Sequence, residues 1–322
     1  MLSRNAQGLY WMSRYLERTE LLCRLLRLQT ESLVDRPVRD IHAGWRRLYM
    51  SLHRLPPGGG LDIGIEESDE YTLADSYTLA GDLTFDRVNP DSVWNCFAQG
   101  RENARQMRHR ISSEMWQRLN LVYLRIRSLD IQDIWVSSPE AFYAEMGADI
   151  GAFSGAAETT MYRDEGWSFL QIGRFIERAQ FSAELIVQQI AIDVEAGEYR
   201  EGDWLDLLRV SNALEQYNLR YGISVYPGDV MDLLVTDPML PSSLSRSFRA
   251  IESELDSIGA GPGADSFGAA RRMAGRLSAL VQYEWPDNLD REDLLNRALE
   301  QSRELHSLIN SAYFDYPVAG AS

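Results

Sequence analysis

The sequence predicts an all-α fold, a multi-helix bundle made of two diverged tandem helical repeats with an approximate two-fold relation between them. Three observations predict this architecture. Apolar residues recur at helical spacing over long segments, no convincing set of segments alternates apolar and polar residues as strands do, and one charged motif occurs twice. Residues 1–322 are therefore predicted to form a single domain, with internal repeats at approximately 1–160 and 161–322.

Ten helices follow from the pattern. The first, from Gln7 to about Thr30, is the clearest, because its apolar residues keep helical spacing almost without interruption by Gly or Pro. Ser138-Pro139 marks another helix start, and Pro90 and Pro241 each precede serines that can cap a helix. The other nine predicted helices cover about 41–55, 90–110, 113–127, 139–159, 165–195, 204–220, 242–258, 264–281 and 290–313.

Two glycine-rich segments predict surface loops. Residues 56–60 read Pro-Pro-Gly-Gly-Gly and open an acidic stretch, and residues 259–263 form the second gap. Neither segment has the lysine or the strand-to-helix setting of a phosphate-binding loop. Nucleotide binding of that kind is therefore not expected.

The composition indicates a soluble globular protein, with 45% hydrophobic and 25% charged residues. A net charge of −16 argues against a nucleic-acid partner, because binding to phosphate backbones needs a surplus of cations. No apolar stretch reaches the length of a membrane span, and no secretory signal is recognisable, so a cytoplasmic location is predicted. The histidines and cysteines lack metal-ligand spacing, so neither a metal nor a cofactor is predicted.

An internal repeat is the most informative feature. Residues 13–19, Ser-Arg-Tyr-Leu-Glu-Arg-Thr, recur as residues 173–179, Gly-Arg-Phe-Ile-Glu-Arg-Ala, at an offset of 160 residues. The match continues downstream with small changes of offset. Trp45, Leu48, Asp86, Pro90, Ser92 and Phe97 correspond to Trp204, Leu207, Asp237, Pro241, Ser243 and Phe248.

Each copy of the motif places two arginines and one glutamate on an apolar helix face. Arginine cannot lose its proton to escape burial, so each guanidinium group needs an acceptor. Two cations and one anion leave one positive charge, which must be met by a carboxylate, by backbone carbonyls or by a bound anion. The six residues are Arg14, Glu17 and Arg18 in the first copy and Arg174, Glu177 and Arg178 in the second.

Two interpretations of these clusters remain open. They form an interhelical ion-pair network, joined by Asp86, Asp237 or Glu114, or the arginines line a pocket for a carboxylate or phosphate. Neighbouring charges are candidate supporting residues for the clusters, and the simpler interpretation of them is local ion pairs and helix-start electrostatics. These supporting residues are Arg101, Glu102, Arg105, Glu114, Arg163, Asp164 and Glu165.

The same motifs closely resemble the bacterial alpha-E domain, named for its helices and its Glu-Arg motif, over essentially the whole chain. The resemblance implies an all-helical protein encoded beside, and sometimes fused to, circularly permuted ATP-grasp ligases. The chain departs from the family at residues 57–80, which are glycine-rich, acidic and tandemly repetitive. The matching segments are residues 1–4, 14–18, 101–105, 112–116, 163–167 and 173–178.

Three functions follow as alternatives. The first is a non-catalytic partner or scaffold for an ATP-grasp-type ligase, which binds a peptide or a small anionic substrate at the Arg/Glu clusters. The second is an enzyme in its own right, an acyl- or amino-group transferase in which Glu17 or Glu177 moves a proton. The third is a purely structural homo-oligomer.

Overall fold

The computed structural model describes residues 1–57, 69–259, 264–288 and 290–314, which form fourteen α-helices and two short π-helical segments. No strand occurs among these residues, and the all-α prediction is confirmed. The α-helices are α1 (Ser3–Glu31), α2 (Val38–Ser51), α3 (Asp69–Phe85), α4 (Val93–Gln106), α5 (Ser113–Ile126), α6 (Ile131–Ser137), α7 (Pro139–Thr160), α8 (Glu165–Ala196), α9 (Glu201–Val210), α10 (Leu214–Tyr221), α11 (Pro227–Thr236), α12 (Leu244–Ile258), α13 (Ala264–Ala279) and α14 (Arg291–Ile309). The π-helical segments are Leu280–Glu284 and Asn310–Phe314.

The predicted helices are present, but several boundaries differ. The helix predicted at 204–220 is two helices, α9 and α10, because Asn212 adopts a left-handed backbone with φ 51° that an α-helix cannot continue through. The helix predicted at 90–110 begins only at Val93, because the Ser92 side chain caps it by accepting a hydrogen bond from the Asn95 amide. Helices α6 and α11 were missed, since segments of 7 and 10 residues carry little periodic signal.

Residues 57–80, where the sequence departs from the family, are helical in their second half, because α3 begins at Asp69. Leu79 and Ala80 of the tandem repeat, with Leu83 after it, lie on a buried face of this helix. Burial of that face stabilises a helix that local composition does not favour. Residues 58–68 and 260–263, which the sequence predicts as loops, lie outside the described residues.

Helices α1 and α8 form the central pair and run in the same direction. Residues near the start of α1 contact residues near the start of α8, and later residues contact later ones. Gly166 lies against Leu9 near the helix starts, and Glu177 binds Arg14 further along. The parallel arrangement brings the two copies of the Arg-x-x-Glu-Arg motif to the same level. It is the arrangement that a two-fold relation between the halves would produce.

Each helix of the central pair is covered by other helices, and part of this packing is matched between the two halves. Helix α4 packs on α1, and α12, which follows the matching sequence in the second half, packs on α8. Helix α7 also covers α1, while α14 and α2 cover α8. Within the described ranges, no helix combines the length and apolarity that crossing a lipid bilayer requires.

The two halves share details at matched positions. His53 after α2 and Asn212 after α9 both have left-handed backbones, with φ of 53° and 51°, and each helix ends in the same turn. Trp45 and Trp204, which the sequence comparison pairs, are both 1% exposed. These matches favour the duplication, which remains a prediction.

Candidate functional site

The two motifs exchange their charges across the α1/α8 contact. Glu177 accepts hydrogen bonds from Arg14 Nε at 2.6 Å and from Arg18 Nε at 2.5 Å. Glu17 accepts in the same way from Arg178 Nε at 2.6 Å and from Arg174 Nε at 3.2 Å. The six residues therefore form two ion triads across the helix contact, because each glutamate bridges the two arginines of the opposite helix. Below, the first cluster is Arg14 and Arg18 with Glu177, and the second cluster is Arg174 and Arg178 with Glu17.

Both glutamates of the network are buried and ionised. Burial alone would raise the pKa of Glu177, but the guanidinium groups of Arg14 and Arg18 outweigh it and lower this pKa to about 2. Burial likewise opposes the ionisation of Glu17, and Arg178 and Arg174 lower its pKa below the ordinary value. Carboxylates held in this way do not exchange protons near neutral pH.

Arg14 is closed to solvent and has a partner at every guanidinium nitrogen. Besides the bond to Glu177, Nη2 donates to Gln180 Oε1 at 2.9 Å and Nη1 lies 3.1 Å from His306 Nδ1. Because arginine only donates, Nδ1 is the acceptor, and the imidazole is neutral. Burial, and secondarily the charge of Arg14, lowers the pKa of His306 to about 4.

Arg18 gains a second carboxylate, which meets the excess charge of the first cluster. Its Nη1 donates to Asp91 at 2.6 Å. The predicted joining residues Asp86, Asp237 and Glu114 do not take this role. Asp91 lies in the turn just before the Ser92 cap of α4, and the packing of α4 on α1 places this turn beside Arg18.

The second cluster lacks this compensation. Arg178 Nη1 donates to the backbone carbonyl of Pro241 at 3.1 Å, and the residue matching Asp91 is the uncharged Ser242. Arg174 binds Glu17 through Nε, and among the described residues neither of its terminal nitrogens has a hydrogen-bond partner. Its side chain is 29% exposed, against 7% for the matching Arg14, but Arg18 of the first cluster is exposed to a similar extent, 28%. The second cluster therefore differs from the first by its unused guanidinium donors and by its missing carboxylate.

The open side faces a cavity of about 220 Å³, which we call the Arg174 pocket. Three arginines and no acidic residue line it. The lining residues are Leu21, Arg24, Arg174, Arg178, Ser182, Leu185, Val210, Ser211, Asn212, Pro241 and Ser242. The Ser242 hydroxyl oxygen is buried without a hydrogen-bond partner among the described residues.

A cavity of about 180 Å³ occupies the matching position beside the first cluster, and three carboxylates and two arginines line it. Arg18 is bound there to Asp91 and Glu177. Glu184, which matches Arg24 of the other pocket, accepts a hydrogen bond from Arg303 at 3.1 Å. The two cavities therefore share a position in the fold but differ in charge.

The supporting residues on α4 do not reach the clusters and form local contacts, which is the simpler of the two sequence interpretations. Arg101 donates to Asn120 at 2.6 Å, and Arg105 binds Glu102 one turn away at 2.6 Å. Their side chains point toward α5 and solvent, because the face of α4 that packs on α1 is apolar.

The remaining supporting residues serve local roles. Glu114 pairs with Arg118 one turn later on α5, and Arg163 donates to the carbonyl of Glu158. The N-cap of α8 is Asp164, whose side chain accepts from the Gly166 amide. Glu165 lies in the first turn of α8, where a carboxylate stabilises the helix dipole, and it pairs with the amino terminus.

The described residues contain no group of three or more His, Cys, Asp or Glu that could hold a metal ion. Burial raises the pKa of the Cys96 thiol to about 12 and raises that of Cys23 as well. Both thiols are therefore protonated core groups.

Comparison with known families finds a match whose description includes a Glu-Arg motif. Residues 1–314 match the Alpha-E family, described as "a predicted alpha-helical domain with a conserved ER motif". The chain belongs to the Alpha-E family. This Alpha-E chain carries the Glu-Arg dipeptide at residues 17–18 and again at 177–178, at the centre of the network.

Curated relatives occur in mycobacteria. The chain is similar to an uncharacterised protein of Mycobacterium bovis and to uncharacterised proteins of two Mycobacterium tuberculosis strains. Each is 24% identical over 295 residues, which cover 88% of this chain and 32% of the relative. The Alpha-E chain thus spans about a third of the length of these relatives. No solved structure matches it.

Proposed function

We propose that this Alpha-E chain is a helical partner protein for an ATP-grasp-type amide or peptide ligase, and that its Arg174 pocket holds an anionic group of the ligase's substrate. The substrate is a peptide or small molecule that carries a carboxylate or a phosphate. The pair works in the cytoplasm, where ATP is supplied.

One observation supports anion binding above all. Besides Arg174 and Arg178, which share Glu17, the pocket is lined by Arg24, which pairs with Glu20. Three positive charges therefore meet two carboxylates, and Arg174 presents the excess to a cavity that no acidic residue lines. A purely structural network would pair its charges internally, as the first cluster does through Asp91. Guanidinium groups bind carboxylate and phosphate groups through paired hydrogen bonds, so an anion suits this position.

The ligase partner rests on the family resemblance and on the length of the relatives. The Alpha-E region makes up about a third of each mycobacterial relative. The remaining two thirds is long enough for a separate enzyme domain. Such an arrangement supports a function in which the helical region and an enzyme act together.

The two alternatives have less support. An acyl- or amino-group transferase that uses Glu17 or Glu177 as a proton carrier is disfavoured, because both oxygens of each carboxylate already accept from guanidinium groups. A purely structural homo-oligomer is disfavoured by the open Arg174 pocket, which lies within one chain.

Co-expression with the ATP-grasp ligase that the family resemblance predicts beside the gene tests the proposal. We expect the two proteins to co-purify and the Alpha-E chain to raise the ligase's rate of ADP formation with its substrate. Arg174→Gln is expected to keep the complex and to lose most of this increase. Arg118→Gln, which alters an exposed ion pair on α5, is the matched control and is expected to behave as the original protein. Absence of a complex, or full activity of Arg174→Gln, contradicts the proposal.

A further inference from the structure

The Arg174 pocket offers hydrogen-bond donors from three parts of the chain. They come from α8, from the turn between α9 and α10, and from the segment before α12. The donor side chains include the guanidinium groups of Arg174 and Arg178 and the hydroxyl groups of Ser182, Ser211 and Ser242. Arg24 also lines the pocket, but its two terminal nitrogens already donate to Glu20 and to the Val210 carbonyl. A ligand in the cavity is therefore met by donors from several directions.

Several of these donors are unused within the described part of the chain. Both terminal nitrogens of Arg174 and Nη2 of Arg178 have no partner there, and the buried Ser242 hydroxyl has none. A buried hydroxyl without a hydrogen bond destabilises the folded protein. A ligand that accepts hydrogen bonds from these groups would remove that destabilisation.

The start of α12 adds a further positive contribution. Pro241 and Ser242 directly precede Ser243, which caps this helix of 15 residues. The amino-terminal end of an α-helix carries a partial positive charge and attracts anions. The matching cavity beside the first cluster also adjoins a helix start, but Asp91 supplies a carboxylate there.

The directions from which the donors reach the cavity distinguish a carboxylate from a phosphoryl group. A carboxylate is planar and presents two oxygens on one side, which suits a single paired guanidinium group. A phosphoryl group is tetrahedral, presents three strong acceptor oxygens in different directions, and carries a charge of about −1.5 to −2 at neutral pH. Donors on three parts of the chain fit the second shape better.

We infer that the Arg174 pocket binds the phosphoryl group of a small phosphate monoester, with Arg174, Arg178 and Ser242 as its principal donors. Leu21, Leu185 and Val210 form an apolar side of the cavity, which takes the body of the ester. The volume of about 220 Å³ limits that body to a small group. This inference rests on the proposed function and specifies the chemical class of its substrate.

Isothermal titration calorimetry with the full chain tests this inference. Phenyl phosphate and benzoate share an aromatic ring and differ in the anion, and inorganic phosphate reports the anion alone. We expect phenyl phosphate to bind at least about tenfold more tightly than benzoate, with inorganic phosphate between them. Arg174→Gln should weaken phenyl phosphate at least about tenfold and Ser242→Ala about threefold, while Arg118→Gln should leave it unchanged. Circular dichroism confirms that each variant is folded.

The outcomes separate the inference from the proposed function. Equal or tighter binding of benzoate overturns the phosphoryl assignment and leaves an anion-binding partner of the ligase in place. Unchanged binding of phenyl phosphate to Arg174→Gln overturns the location. Binding of none of the three probes overturns both the inference and the proposed anion site.

Discussion

The hydroxyl group of Ser13 occupies the space that a side chain on Gly173 would need. These residues hold matching positions in the two Arg-x-x-Glu-Arg motifs, and a Cβ atom on Gly173 would overlap both the Ser13 hydroxyl and the Tyr10 carbonyl oxygen. Glycine is required there by the close approach of α1 and α8. The same approach lets the side chains of Glu17 and Glu177 reach arginines on the opposite helix.

Gly173→Ala should therefore destabilise the protein. The new methyl group would push α1 away from α8 at the level of the network, and we expect the free energy of unfolding to fall by about 1–3 kcal/mol. Gly151→Ala on α7 is the matched control. No atom lies within 4 Å of its added carbon, so we expect a gain of about 0.5–1 kcal/mol. Urea denaturation followed by circular dichroism measures both, and equal effects would contradict this account of the helix contact.

Loss of the Glu177 carboxylate should lower the free energy of unfolding more than Gly173→Ala does, because it leaves Arg14 and Arg18 without their shared anion. We expect Glu177→Gln to lower the free energy of unfolding by about 3–5 kcal/mol at neutral pH. The folded-state pKa of Glu177 is depressed from 4.5 to about 2. The stability it supplies is therefore complete above pH 4.5 and is lost as the pH falls toward 2.

Denaturation at a series of pH values separates this effect from simple misfolding. The original protein should lose stability steeply over that acidic range, and Glu177→Gln should show a shallower loss there. Parallel curves for the two proteins would show that the Glu177 carboxylate does not hold the network.

His306 should remain neutral well below the pH at which imidazole ordinarily titrates. Its Nδ1 lies close to Arg14 Nη1 and Tyr10 Oη, at 3.1 and 2.6 Å, and burial with the Arg14 charge lowers its pKa to about 4. Because the folded-state pKa is depressed, protonation of the unfolded chain removes stability as the pH falls from 6.5 toward 4. Nuclear magnetic resonance titration of the His306 ring, with free imidazole in the same sample, checks this value. If His306 titrated at the same pH as free imidazole, His306 would not lie in the closed environment of Arg14.

Asp91 and Ser242 hold matching positions beside the two cavities, and exchanging these residue types should move the carboxylate from the first cavity to the second. Ser242→Asp places a carboxylate beside Arg178, and we expect phenyl phosphate binding to fall at least about tenfold. Asp91→Ser removes a partner of Arg18, and we expect the free energy of unfolding to fall by about 1–3 kcal/mol. Calorimetry and urea denaturation measure the two effects. Retention of phenyl phosphate binding by Ser242→Asp would show that the missing carboxylate is not what opens the second cluster.

Much of the fold is visible in the sequence, because helices α1 and α8 each carry a long, uninterrupted apolar pattern. The six charged residues were also identifiable, since they lie on apolar faces where solvent cannot stabilise them. Their pairing across the helices agrees with the first of the two sequence interpretations for Arg14 and Arg18, and the open pocket at Arg174 agrees with the second.

The partners that distinguish the two clusters were not identifiable. Asp91 lies 73 residues from Arg18, and His306 lies 292 residues from Arg14. Contacts over such separations depend on how α4 and α14 pack, which no local pattern specifies. The sequence left two interpretations of Arg101, Glu102 and Arg105 open for the related reason that a short helix segment does not reveal which face meets the core.

The most direct test is a crystal structure of the full chain grown with arsenate, a phosphate analogue that anomalous scattering locates without ambiguity. We expect one strong anomalous peak in the cavity between Arg174, Arg178 and Ser242, and none beside Arg18 and Asp91. A peak beside Arg18, or equal occupancy of both cavities, would show that Asp91 does not exclude an anion from the first cluster and that the second is not the preferred anion site.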